Sequence, residues 1–213
     1  MEEQDLGFTV VEPGFIIEKG IDGEQIISFI EKCGKVCYKS EAGITPDSAR
    51  KFVAKLVADG HESVLEHRVV TVWIVCDRGV SHEIVRHRIA SYSQESTRFC
   101  NYGKRGIQFI RPLFFNDDTE EYRCWLKAMG DCAKAYNNLL ANGTTPQEAR
   151  SCLPNSTKTE IVVTYNLREW RHFFRLRTAP AAHPQMRQIS VPLLLEFQRL
   201  IPVIFDDIVV VEK

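Results

Sequence analysis

The sequence predicts an α/β or α+β domain with a central sheet covered by helices, on three observations. Residues 67–76 are rich in β-branched and aromatic types, as expected for a strand well inside a sheet, and a further strand is expected at about 159–165. Several stretches carry helical spacing, caps or breakers at helix ends. No repeat, low-complexity tract or long linker divides the 213 residues, and 44% hydrophobic content suffices for a sizeable core, so a single domain over 1–213 is expected.

Taken in order, Phe8–Val11 and Phe15–Ile17 around Pro13-Gly14 read as strand, turn and strand. From Gly23, the spacing of Ile26, Ile27, Phe29, Ile30, Cys33 and Val36 predicts a helix, and Thr45, Pro46 and Gly60 cap, open and close a second. These two helices are expected to cover the sheet. The 67–76 strand leads into a short helix over Gly79–His87, then a brief strand at Gln108–Pro112 and a long helix over Asp118–Asn142 closed by Gly143. Thr145-Pro146 starts another helix, and the strand at Thr159–Tyr165 runs into a helix over Leu167–Thr178. Pro184 opens the last long helix, toward Ile201.

Composition narrows function. Lys+Arg 27 against Asp+Glu 28 gives a net charge of -1, which is no global field for nucleic acid, so any anion must meet a local cluster. The start, Met1–Asp5, is acidic, and no apolar run approaches the roughly 20 residues of a membrane span, so a cytoplasmic protein without membrane contact is expected. Seven scattered cysteines without a C-x-x-C pair read as reduced, mostly buried thiols. No metal site is expected: His61-Glu62 and His82-Glu83 lack the second histidine of H-E-x-x-H, and His87 falls one residue late, about 140° around a helix from His82.

The densest polar segment runs from Arg86 to Arg98, RHRIASYSQESTR, where guanidiniums and hydroxyls follow a short helix. By composition alone a solvated basic turn is the commoner outcome; as a site, it offers arginines to phosphates and hydroxyls to a sugar or base. Ser96 and Cys100, the candidate nucleophiles of this segment, have no base and orienter visible in the sequence. A binding module for nucleic acid, built on Arg86–Arg98 and Arg168–Arg177 with nearby Tyr92, Phe99 and Tyr102, is the non-enzyme alternative and predicts a basic face.

On the 167–178 helix, at about 100° per residue, Leu167, Trp170, Phe173, Phe174 and Leu176 define an apolar arc opposite Arg168, Arg171, His172 and Arg175. Arg177 falls within the apolar arc, so if the helix persists its guanidinium requires an accepting partner. If the helix frays there, it sits in solvent.

Arg86-His87-Arg88, seven residues, then Ser96 resembles the signature of the flavin-dependent thymidylate synthases. The likeness extends over Ser81–Tyr102, His61–His67, Arg150–Pro154 and Asn166–His183, in order along most of the chain. It implies the thymidylate synthase-complementing protein fold, with a central, mostly antiparallel sheet flanked by helices. It also implies FAD as cofactor, with NADPH and methylenetetrahydrofolate as co-substrates for reductive methylation of dUMP to dTMP. A homotetramer with shared active sites is the implied assembly. The dUMP contacts it implies are Glu83, where many members carry Gln, with Arg86, Gln94, Glu95, Ser96, Thr97, Arg98 and Arg150. Arg177 is implied to be catalytic, touching the pyrimidine and helping to ionise it. The implied FAD contacts are His61, Ser63, Arg86, His87, Arg88, Gln94, Asn166, Arg168, His172 and, across a one-residue insertion, His183.

Overall fold

The two strand-rich runs become the inner strands of a four-stranded sheet. They are β3 (Val69–Asp77) and β6 (Lys158–Asn166), flanked by β2 (Gly14–Ile17) and β4 (Ala90–Gln94) in the order β2-β3-β6-β4. This computed structural model describes residues 7–37, 39 and 43–211, so the acidic start at Met1–Asp5 lies outside the described residues. Period-two burial makes the inner strands: Val70, Val72, Ile74 and Cys76 in β3 and Thr159, Ile161, Val163 and Tyr165 in β6 are all buried. Positions rise on β3 as they fall on β6. Arg68 O accepts from Leu167 N at 3.0 Å, the Thr71 and Thr164 hydroxyls meet at 2.9 Å, and Arg78 N donates to Thr157 O at 3.1 Å, which is antiparallel pairing.

By contact the chain separates into two compact units, one of Met1–Gly14, Ile74–Arg86 and Ser93–Ile161, the other of Phe15–Trp73, His87–Tyr92 and Val162–Lys213. The first holds β1 (Thr9–Val11), α3 (Arg78–Ile84), α4 (Tyr102–Arg105), β5 (Gln108–Ile110), α5 (Glu120–Ala141) and α6 (Pro146–Ala149). Its core gathers Phe8, Phe109, Met129, Ala133 and Tyr136, with Phe8 edge-on to Phe109 at 5.2 Å. The expected strand, turn and strand at the start is present without being a hairpin. β1 pairs in parallel with β5, while β2 belongs to the other sheet. Pro13 has no N–H to give a ladder, so it separates the two strands instead of turning one back on the other.

In the second unit, α1 (Gly23–Val36) packs on α2 (Pro46–Ala58), followed by a 3-10 turn at Glu62–His67, α7 (Leu167–Arg177) and α8 (Pro184–Leu200). Close approach at Gly34 makes the first contact possible, since a Cβ there would stand 2.6 Å from the Phe52 ring. α2 starts on a capping box: Thr45 Oγ1 accepts from Ser48 N at 3.1 Å and Ser48 Oγ from Thr45 N at 2.9 Å. Ser48 Oγ also reaches buried Glu31 of α1 at 3.0 Å. Thr45→Ala is therefore expected to lower stability by about 1 kcal/mol, read from denaturant unfolding. Trp170, Phe174, Phe197 and Phe205 fill the centre, with ring centroids 4.9–5.7 Å apart.

Three expectations need correction. The short helix ends at Ile84, with Val85 as its cap, so His87 lies in the following loop, and residues 90–94 of the polar segment form an edge strand, not a continuous loop. On α7, Arg171 is fully buried while Leu176 is 49% exposed, so the buried face is rotated away from Leu176 toward Arg171, and Glu169 is buried within it. Of the seven thiols, all unpaired, only Cys76 is fully buried; Cys37 and Cys124 are exposed and the rest lie between. Among the described residues no helix is long and apolar enough to cross a membrane.

Candidate active site

In the first unit the end of β4 and the turn after it carry most of the residues expected at dUMP. Gln94 is tied down by its amide nitrogen, which donates to Ser81 Oγ at 2.9 Å and Thr159 Oγ1 at 3.2 Å. Glu95 continues the edge pairing through its N–H to Glu160 O at 2.8 Å, and its carboxylate accepts from Lys158 Nζ at 3.3 Å. The chain then turns: Ser96 O accepts from Cys100 N at 2.9 Å, and Ser96 Oγ from Arg98 N at 3.3 Å.

Two arginines from distant segments meet this turn. Arg150, on the 3-10 turn Arg150–Cys152 that follows α6, donates to Thr97 Oγ1 at 3.3 Å, and Thr97 is buried. Arg98 donates to Gln147 Oε1 of α6 at 3.1 Å and lies over the Phe99 ring. Both remain exposed, so a pair of guanidiniums flanks a turn of hydroxyls, an arrangement that suits a phosphate. Glu83 sits half-buried in the last turn of α3, and Arg86 follows in an exposed turn held by its N–H to Glu83 O.

The second unit holds most of the residues expected at the flavin. Asn166 is the N-cap of α7, its side chain accepting from Glu169 N at 2.8 Å. With Arg168, His172, Glu62, Glu66 and Ile89 it lines a groove of about 360 Å³. Arg168 pairs with Glu66 at 2.5 Å, both about half exposed, and such a pair contributes only about 0–1 kcal/mol, so Arg168 can turn to a ligand phosphate at little cost. His61 and Ser63 are exposed at the start of the 3-10 turn that supplies Glu62 and Glu66. The donor set therefore fits an anionic dinucleotide. Arg88 is exposed in the loop before β4, and His183, exposed at the N-cap of α8, is not among the groove's lining residues.

His87 is the exception among these residues, because it faces inward. It is 4% exposed, between the rings of Tyr165, His172 and Phe173. Its Nδ1 lies 2.7 Å from Glu169 Oε1, its Nε2 accepts from Arg177 Nε at 3.2 Å, and its carbonyl accepts from Tyr92 OH at 2.5 Å. Arg177 thus has the accepting partner that its place on the apolar arc required. His87, Glu169 and His172 bring ligand atoms within 4.8 Å of one another, a spacing that could hold a cation. Yet both ring nitrogens of His87 are engaged and a guanidinium stands against one of them, which favours a hydrogen-bond network over a metal.

Burial pushes the His87 imidazole below its ordinary value, against the opposing pull of Glu169. A folded value below the unfolded one, about 6.5, means that this contribution to stability is complete above that pH and is lost as pH falls through the folded value. Unfolding free energy measured from pH 8 to 5 should therefore fall more steeply for the wild type than for His87→Gln. Equal slopes would show that His87 does not titrate on unfolding.

Sequence reasoning missed Glu169. Its one visible signal was a carboxylate four residues before Phe173, on the edge of the apolar stripe of α7.

Cations and hydroxyls are thus gathered in each unit, and the fold is shared with a solved structure. A crystal structure described as a UMP/dUMP methylase, PolB, from Streptomyces cacaoi, bound with 5-Br dUMP, superposes with a TM-score of 0.78 at 22% identity, covering 93% of this chain and 96% of that one. The family described as thymidylate synthase complementing protein matches residues 23–203. Flavin-dependent thymidylate synthases from Pyrococcus abyssi, Geobacter sulfurreducens and Corynebacterium aurimucosum are 37%, 36% and 32% identical over 73%, 81% and 93% of this chain. Those matches span 65%, 78% and 88% of the relatives' own lengths, so the first covers just under two thirds of its relative. The chain belongs to this enzyme family, the flavin-dependent thymidylate synthases.

Proposed function

We propose that this protein converts dUMP to dTMP, taking its carbon from methylenetetrahydrofolate. FAD, reduced by NADPH, supplies the hydride when bound. The chain's own work is positioning and electrostatics. Arg98 and Arg150 hold the phosphate, while Ser96 and the Thr97 N–H meet phosphate and sugar. Gln94, Glu95, Glu83 and Arg86 complete the dUMP site. Arg177 stabilises the negative charge that develops on the pyrimidine. Asn166, Arg168 and His172 line the flavin groove, with His61, Ser63, Arg86, Arg88, Gln94 and His183 as further contacts and His87 acting from behind.

The observation that carries this reading is the meeting of Arg150 with Thr97 beside Arg98, which brings two distant segments of the family likeness together in a place that suits an anion. We read the chain as one domain in function, in a cytoplasmic homotetramer with shared active sites. A groove of about 360 Å³ is at the small end for a small-molecule site, about 300–1,000 Å³, so a whole dinucleotide needs further walls, and neighbouring copies would supply them. The test is tritium release from C5-labelled dUMP, with FAD, NADPH and methylenetetrahydrofolate omitted in turn. Release that requires all three supports the reading; folded, flavin-loaded protein that releases none refutes it.

A further inference from the structure

Glu169 and Arg177 stand eight residues apart on α7, about 12 Å along its axis, and the His87 ring bridges them. The hydrogen-bond chemistry leaves one arrangement of protons. A guanidinium Nε–H is only ever a donor, so His87 Nε2 must be the acceptor, at 3.2 Å. The ring proton must then sit on Nδ1, where it donates to Glu169 Oε1 at 2.7 Å.

We propose that Glu169 is a positioning residue, holding His87 in the neutral Nδ1–H tautomer so that Nε2 fixes the plane of the Arg177 guanidinium. The inference rests on the reading of Arg177 as the group that meets the pyrimidine. A carboxylate on Nδ1–H makes the opposite nitrogen a better acceptor, as it does for histidines that ligate metals. The groups facing His87 are Glu169, His172 and Arg177, together with the hydroxyls of Tyr92 and Tyr165, whose mutual contact is 2.8 Å. Arg177 and His172 oppose a second proton on the ring, as does burial, and Glu169 alone favours it. Arg177 is held from its backbone side as well, where Ser190 Oγ donates to its carbonyl at 2.7 Å, so the side chain starts from a fixed point.

The first test reads protons directly. In the flavin-free protein with 15N-labelled histidine, His87, assigned by its loss in His87→Gln, should show a protonated Nδ1 and a bare Nε2 at neutral pH. That pattern should persist in Glu169→Gln, whose amide oxygen still accepts, and in Glu169→Leu an Nε2–H population should appear, in which the contact with Arg177 is lost. An imidazolium or an Nε2–H ring in the wild type overturns the proposal.

The second test reads the role. Because Glu169 also lines the groove, turnover is read per bound flavin: Glu169→Leu should lower kcat on that basis by about tenfold to a hundredfold, Glu169→Gln should recover most of it, and Glu169→Leu should add nothing in an Arg177→Ala background. A loss that adds in full to that of Arg177→Ala overturns the positioning role. A wild-type protein that does not turn over dUMP would refute the proposed function, and the nitrogen spectra would still decide the tautomer.

Discussion

Arg177→Ala is expected to lower turnover of dUMP by about 10²–10³-fold while flavin stays bound, because it removes one preorganised donor from the place where charge develops. The size of the effect follows from how the residue is held. Arg177 is half-buried at the end of α7 with its Nε committed to His87, so its guanidinium is already oriented for the proposed role. The groove's own donors, Asn166, Arg168 and His172, are untouched by the change, so flavin occupancy after gel filtration should match the wild type. Turnover per bound flavin is the decisive quantity. If Arg177→Ala sheds flavin but keeps its turnover per flavin, the residue serves the cofactor and not the pyrimidine.

Arg171→Leu should destabilise the fold by about 3–5 kcal/mol, since it leaves two carboxylates at a site built for a cation. The Arg171 side chain is fully buried. It donates from Nε to Glu62 at 2.9 Å, from both terminal nitrogens to Asp207 at 2.6 and 2.7 Å, and to the Ile204 carbonyl. In a domain of this size the loss corresponds to a fall in Tm of roughly 10 °C, measurable by calorimetry. Arg171→Lys keeps the charge but loses the fork, so it should fall between.

A pH signature accompanies this network. Hydrogen bonds from Arg171 hold the Asp207 carboxyl below the usual carboxylate range. Its contribution is therefore present above the unfolded value, about 3.9, and is lost as pH falls through the folded value. Arg171→Leu should flatten the acid limb of the stability curve, modestly, because Asp207 is partly solvated. Glu62 also lines the groove proposed for the flavin, so the same variant should weaken flavin binding.

The elements were legible because local chemistry marks them. Asp22, Thr45, Thr119 and Asn166 cap their helices with their own side chains, and Gly60 and Gly143 take the left-handed turns that end two of them, at φ 73° and 86°. The inner strands announced themselves by their β-branched and aromatic residues, although only alternate positions are fully buried. The edge strand β4, Ala-Ser-Tyr-Ser-Gln, needs no such composition, and its polar residues read as loop.

The family is legible in the residues alone, since four fixed positions of the signature and the segments around it stand in order, and with them the residues at which to look for the site. What those residues do to one another depends on the folded chain. Helical periodicity placed Arg171 opposite the apolar arc, but periodicity cannot see that the turns after α8 bring Asp207 to it. Nor could it join Glu169 to His87, 82 positions away, because a buried proton's position depends on which donor and which acceptor the fold brings to opposite sides of one ring.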